Sequence, residues 1–326
     1  MFPILTAFET IQRDSAISFP LLGNFSINPP SYFTVFGKTI YFYGVLIALG
    51  FLLAILFCGK KSAAFGIKAD DFYDLMLWLI PLSIVGARLY FVLFRLQDYL
   101  ADPISILYVH EGGLAIYGGV IAGVLCVVGV CRHKGIPIPA MLDLAILGLL
   151  IGQIVGRWGN FMNREAFGRE TEIFCRMGLT APDGTTIYVH PTFLYESLWN
   201  LGVLLFLLWF EKKGKRRFDG HCITLYFLLY GLGRLWIEGL RTDSLYIGST
   251  GIRVSQALSL VLVITAAAVL LKMRKRPFSP ADLYVNRVAA ASAPIVIEKL
   301  APEAEGAETL RFTSPEAGCT QSRRAP

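Results

Sequence analysis

The chain has 326 residues, 55% of them hydrophobic and 17% charged, with a net charge of +6 and a mean hydropathy of +0.56. A soluble domain carries about 25% charged residues, so the composition excludes an ordinary soluble protein and indicates a polytopic membrane protein. The positive balance needs no nucleic-acid partner, because it sits in alternate loops.

In chain order, residues 1–39 come first as an arm outside the membrane, with Pro20, Pro29 and Pro30 set among aromatics. The first 30 residues lack the basic, apolar and small-residue regions of a cleaved secretory signal. The first span is therefore expected to act as an uncleaved signal. Runs of spanning length, about 20 residues each, lie near 40–58, 72–94, 114–131, 140–161, 193–210, 222–240 and 255–271. The expected fold class is an all-α polytopic membrane protein with about seven transmembrane helices, six or eight being the alternatives. Residues 162–192 form the longest internal connection. Gly168, Gly178, Pro182 and an Asp183-Gly184 turn signal there predict a small folded head. Beyond Pro277 the sequence turns to Ala, Pro, Glu and Ser, a composition that cannot bury a core. The expected division is an arm at 1–39, a seven-helix membrane domain at 40–275 with the head at 162–192, and a disordered tail at 276–326.

Orientation follows from counting. Segments 59–71, 132–139, 211–220 and 272–276 hold 14 Lys/Arg in 36 residues, whereas 1–39, 95–113, 162–192 and 241–254 hold 8 in 103. The positive-inside rule then places the N-terminus and the head outside and the C-terminus in the cytoplasm. Of six cysteines (Cys58, Cys126, Cys131, Cys175, Cys222 and Cys319), only Cys175 falls clearly outside, so no exofacial disulfide is expected. No Cys/His spacing indicates a metal site.

Polar residues inside the spans carry the chemistry. Hydrocarbon tolerates a guanidinium only when it is paired or has a task, yet Arg88, Arg157 and Arg234 all fall in spans. On this orientation Tyr43, Arg88, Tyr117, Arg157, Asn160, Asn163, His190, Tyr230, Arg234, Glu238 and Arg241 all sit toward the outer face. A transporter path would continue inward, and only Asp74 and Asp143, near cytoplasmic ends, are available for that. A seven-span receptor fits the count but leaves the arginines without a purpose. An intramembrane serine protease has no base for Ser83, Ser197 or Ser255. Tyr230, Arg234, Glu238 and Arg241 share one helix face, as do Arg157 and Asn160. Arg234–Glu238 reads either as an intrahelical salt bridge or as part of a cluster. Convergent guanidiniums suit a phosphate, because the planar fork offers paired donors to its oxygens. The glycines at 112, 113, 118, 119 and 123 read first as helix packing.

Four stretches together resemble the bacterial prolipoprotein diacylglyceryl transferases: Gly112-Gly113-Leu114-Ala115-Ile116-Tyr117-Gly118-Gly119, Gly156-Arg157-Trp158-Gly159-Asn160-Phe161-Met162-Asn163, His190-Pro191…Leu194-Tyr195-Glu196, and Tyr230-Gly231…Arg234…Glu238…Arg241. The likeness covers roughly residues 30–275 and leaves out the arm and tail. It implies a multi-pass enzyme of the bacterial cell membrane, working toward the outer leaflet on phosphatidylglycerol and on prolipoprotein signal peptides with a lipobox cysteine. The diacylglyceryl group moves to the cysteine thiol as a thioether and glycerol phosphate leaves, the first step of lipoprotein maturation. No metal or organic cofactor is implied. The resemblance assigns catalysis to Arg157, Arg234, Tyr117, Asn160 and Glu165. It assigns lipid binding to Arg157, Tyr43, Arg88, Gly168, Tyr230, Glu238, Arg241 and His190. One departure stands out: many family members have histidine, a proposed base, where this chain has Tyr117. Tyr117 is then a phenolate base or only a hydrogen-bond donor, with Glu165 and His190 as other proton acceptors.

Overall fold

The computed structural model describes residues 15–23, 25–100, 102–108, 112–246 and 250–292, together with the backbone of 297–299, 310–312 and 321–323. Helices stand where the apolar runs predict them: α1 (Phe42–Lys61), α2 (Ala69–Phe94), α3 (Ile116–Lys134), α4 (Ile138–Asn163), α5 (Thr192–Lys212), α6 (His221–Leu240) and α7 (Val254–Lys275). Among the described residues, α1 to α5 and α7 are long and apolar enough to cross a membrane. Helix α6 is of similar length, 20 residues, but Arg234 and Glu238 lower its hydropathy. The chain divides into two compact units: residues 1–60, 142–216 and 220–276 form one, and 61–141, 217–219 and 277–326 the other.

In the first unit α1 packs on α4 through small residues. A Cβ added to Gly50 would touch Gly152 and Val155, and one on Gly148 would meet the Cys58 sulfur. Helix α6 lies between α5 and α7, and the indole of Trp199 on α5 donates to Leu229 O on α6 at 2.9 Å.

The expectation of an all-α chain needs correcting, because the connections at the α4 end of this unit are β structure. Strands β1 (Ala16–Phe19), β2 (Phe25–Ile27), β5 (Met177–Thr180) and β6 (Thr186–Val189) form an antiparallel sheet in the order β2-β1-β5-β6. The head expected at 162–192 is therefore completed by the arm, which supplies two of its strands. Pairing Ile17 with Leu179 and Leu179 with Ile187 puts alternate apolar side chains on one face, as strand periodicity requires. That face forms a core of Ile17, Met177, Leu179, Ile187, Val189 and Phe193, with Phe161 packed against it. Gly184 (φ 88°) makes the expected turn, and Asp183 accepts from Thr185 N at 2.8 Å. A separate hairpin, β3 (Tyr32–Val35) with β4 (Lys38–Tyr41), leads directly into α1.

In the second unit α2 and α3 approach so closely that a Cβ on Gly86 would strike Ala122, and one on Gly118 would strike Tyr90. The tail is not disordered from its start. Helix α8 (Tyr284–Ala291) packs on Gly66, where a Cβ would lie 2.7 Å from Val285 Cα and where φ is +75°. Asp219 accepts from Tyr284 N at 3.0 Å and Arg287 Nη2 at 2.9 Å. The rest of the tail lies outside the described residues, apart from the backbone of three short antiparallel strands, β7 (Ile297–Lys299), β8 (Leu310–Phe312) and β9 (Gln321–Arg323).

Candidate active site

Helix α4 ends within its polar motif, and its end is held by force. Arg164 and Ala166 have positive φ, 52° and 56°, which costs a side-chain-bearing residue about 1–2 kcal/mol. Hydrogen bonds hold both in place. Arg164 is buried and donates to Ser15 O at 2.9 Å, Asn28 Oδ1 at 2.6 Å and Met162 O. Thr192 Oγ1 donates to Ala166 O at 2.5 Å. The reversal lets Asn160 and Asn163 both donate to Glu165 Oε1, at 3.0 and 3.4 Å, so the three residues form one exposed polar group.

Behind them lies an ion cluster whose centre is Glu196, one turn inside α5 and 3% exposed. Its carboxylate meets Arg157 Nη2 at 2.5 Å, Arg234 Nη1 at 2.8 Å and Arg241 Nη1 at 3.1 Å. Arg234 also lies 2.7 Å from Glu238, four residues on, so the intrahelical pair exists and belongs to the larger cluster. Arg241 caps α6 and donates its Nε and Nη2 to Asp243 at 2.9 and 2.7 Å. Three guanidiniums therefore face three carboxylates. Glu196 and Glu238 are buried whereas Asp243 is about half exposed, so the pairing matters most for the buried members, because an unmatched buried charge is very costly. The side chain of Arg157 is 23% exposed, against 15% for Arg234 and 10% for Arg241. Its Nη1 reaches Asn160 Oδ1 at 3.3 Å, which links the cluster to the exposed asparagine–glutamate group.

Among the described residues, two spaces adjoin this constellation. The gap lined by Glu196, Asn200, Tyr230 and Arg234 holds about 10 Å³, too little for more than a single water. An opening of about 410 Å³ is lined by Tyr41, Tyr43, Gly44 and Asn163. Tyr43 enters it across Gly159, where a Cβ would come within 2.5 Å of the ring. Asn163 Oδ1 is buried and has no hydrogen-bond partner, which leaves an acceptor available.

Several expected residues have other work. Gly168 is a close-packing point: a Cβ there would lie 2.6 Å from His190 Cβ and 3.1 Å from Leu240 O, and its backbone bridges to Arg241. Tyr230 stacks on Tyr226 at 5.1 Å, and Tyr226 accepts from Gln153 at 2.9 Å. His190 Nδ1 lies 3.4 Å from Tyr195 Oη, and burial lowers its pKa, so the imidazole is neutral at pH 7. Arg88 and Tyr117 belong to the second unit. The fork of Arg88 is filled by the carbonyls of Ser105, Ile106, Gly112 and Gly113 at 2.7–3.0 Å. Those bonds brace the loop ahead of α3 and leave no fork open for a phosphate. Tyr117, at the start of α3, is 64% exposed.

The residue that sequence reasoning passed over is Glu196. It was in view as part of Leu194-Tyr195-Glu196, and the argument that singled out the arginines applies equally to a carboxylate inside a span. Asp243 was missed because it lies just beyond a span, and Arg164 because it looks like a loop cation.

The chain matches the prolipoprotein diacylglyceryl transferase family over residues 30–272. It is 42% identical over 252 residues to the phosphatidylglycerol–prolipoprotein diacylglyceryl transferase of Enterococcus faecalis, covering 75% of this chain and 90% of that protein. The enzyme of the same name from Finegoldia magna is 40% identical over 244 residues, 75% of this chain and 95% of that protein. The one from Halalkalibacterium halodurans is 40% identical over 237 residues, 70% and 80% respectively. The arginines, asparagines and carboxylates around Glu196 all fall inside the matched stretch, and the chain belongs to the prolipoprotein diacylglyceryl transferase family.

Proposed function

We propose that the opening beside Tyr43 and Asn163 is where this transferase moves the diacylglyceryl group of phosphatidylglycerol onto the lipobox cysteine of a prolipoprotein signal peptide. The observation that carries this reading is the ion cluster around Glu196, with Arg157, its most accessible guanidinium, linked through Asn160 to the exposed polar group. The cysteine sulfur attacks the glyceryl methylene that bears the phosphate ester. A C–S bond forms as the C–O bond breaks, the electron pair leaves on the phosphate oxygen, and glycerol phosphate departs. Arg157 binds that phosphate and stabilises its growing charge, while Glu196, Arg234, Glu238 and Arg241 hold Arg157 in place. Asn163 Oδ1 accepts from the headgroup glycerol.

The thiol proton goes to a nearby acceptor. Glu165, which accepts from both asparagines, and His190 are acceptors in this unit, and on the sequence reading Tyr117 is a hydrogen-bond donor rather than the base. The enzyme crosses the cell membrane seven times, α6 included, with the site toward the outer leaflet and the C-terminus in the cytoplasm. Residues 40–275 form the catalytic domain, and 276–326 lie outside the chemistry. No cofactor takes part.

The test is purified protein with phosphatidylglycerol and a lipobox peptide, following thioether formation and glycerol phosphate release. Substitution of serine for the peptide cysteine should end the reaction. Release of glycerol phosphate without a thioether would overturn the proposal.

A further inference from the structure

Arg253 is buried, 5% exposed, and its Nη1 has no hydrogen-bond partner. Among the described residues it forms no ion pair, and its sole electrostatic contact is the Tyr246 ring, with Cζ 5.8 Å from the centroid. This sets it apart from Arg88, Arg164 and Arg241, which are equally buried but surrounded by oxygens. A guanidinium so nearly buried, with one nitrogen enclosed and no counter-charge among the described residues, is unfavourable.

Its position makes this worse. Arg253 is the N-cap of α7, which has no side-chain cap and no acidic residue in its first turn. A helix N-terminus carries positive partial charge and unsatisfied N–H groups, and it favours anions. Here a cation is placed on a positive pole. In the same loop the Ser244 hydroxyl is also buried without a partner. Val254 N donates to Leu245 O at 2.9 Å, and Gln256 Nε2 on α7 donates to Leu235 O on α6 at 3.0 Å. What is lacking is an anion.

We propose that Arg253 and the first turn of α7 form an anion subsite for a phosphate group. The donor set, a planar fork beside backbone N–H groups, matches phosphate oxygens. Two sources share that chemistry: a phosphodiester headgroup at the bilayer surface, and the soluble glycerol phosphate that the reaction releases. That the anion is a phosphate rests on the transferase reading, whereas the need for an anion rests on Arg253 alone.

The test uses the full chain in nanodiscs of phosphatidylcholine, with thermal unfolding as the readout so that no activity is required. Inorganic phosphate, exchanged for chloride at constant ionic strength, should raise the wild-type Tm. R253Q should start about 2–4 °C above wild type without phosphate, because an unpaired charge has gone, and should not respond to phosphate. R253K keeps the charge and should respond at about ten- to a hundredfold higher phosphate. Doping the nanodiscs with phosphatidylglycerol, or adding glycerol phosphate, separates the sources: whichever stabilises wild type but not R253Q is the occupant. If R253Q unfolds earlier than wild type or fails to accumulate, Arg253 is a structural brace and the proposal falls. It falls equally if wild type ignores all three probes, or if R253Q responds as wild type does.

Discussion

Two regions of this protein bury arginine in opposite ways. Around Arg88 the partners are four neutral main-chain carbonyls, which take at least one N–H from each of its three nitrogens. Around Arg157, Arg234 and Arg241 the partners are carboxylates, chiefly Glu196, which cancel charge. Carbonyls drawn from one loop cannot be displaced without unfolding that loop. A carboxylate shared among three guanidiniums is different, since an arriving phosphate can take over part of its role. A buried arginine in a membrane protein is therefore not by itself a ligand site, and the partner decides which kind it is.

The strongest way to break this distinction is Glu196→Gln. The change keeps shape but leaves three guanidiniums facing two carboxylates, and breaking a buried pair costs about 3–5 kcal/mol. Transfer activity should vanish and the Tm should fall sharply. A variant of normal stability would show that the cluster is not held by charge balance.

Arg157→Lys comes next. Lysine keeps the charge but loses the planar fork, and Arg157 is the most exposed member. Turnover should fall about 10²- to 10³-fold, as when one donor to a developing oxyanion is removed, while the protein still accumulates. Near-normal kcat would remove the phosphate-binding role.

Arg88→Lys should show the reverse pattern. Lost bonds to carbonyls cost about 1–3 kcal/mol, seen as a lower Tm, with KM for phosphatidylglycerol unchanged. A raised KM at an unchanged Tm would return Arg88 to the list of lipid ligands.

Tyr117→Phe should slow transfer about three- to tenfold, the worth of one ordinary hydrogen bond. A loss of several hundredfold, rescued by Tyr117→His with a shifted pH limb, would make Tyr117 the base. The smallest effect on activity belongs to the tail. Ending the chain after Ser292 should change nothing measurable, whereas ending it after Arg276 removes α8 and its bonds to Asp219, lowering Tm but leaving transfer intact. Loss of transfer with the membrane domain still folded would give the tail a role in the chemistry.

The helices were legible in the sequence because spanning hydrocarbon demands about 20 apolar residues in a row, and that demand is local. Arg157, Arg234 and Glu238 stood out for the same reason: a charge inside such a run is conspicuous wherever it points. The strands at Ala16–Phe19 and Phe25–Ile27 were not legible, since each is short and the pair joins a sheet only where Ile17 meets Leu179, far along the chain. Helix α8 was hidden in a polar composition, and what orders it is Asp219 and the absence of a side chain at Gly66. The partners of the arginines belong to the same class. Sequence fixes which residues lie along a helix, but the rotation of α4, α5 and α6 against one another decides which carboxylate meets which guanidinium. That rotation is held where Ser197 Oγ donates to Ile154 O, Gln153 Nε2 to Tyr226 Oη and Trp199 Nε1 to Leu229 O. Only the folded chain could show that Glu196 is the shared counter-ion, that Arg88 is committed to main-chain carbonyls, and that Arg253 forms no ion pair among the described residues.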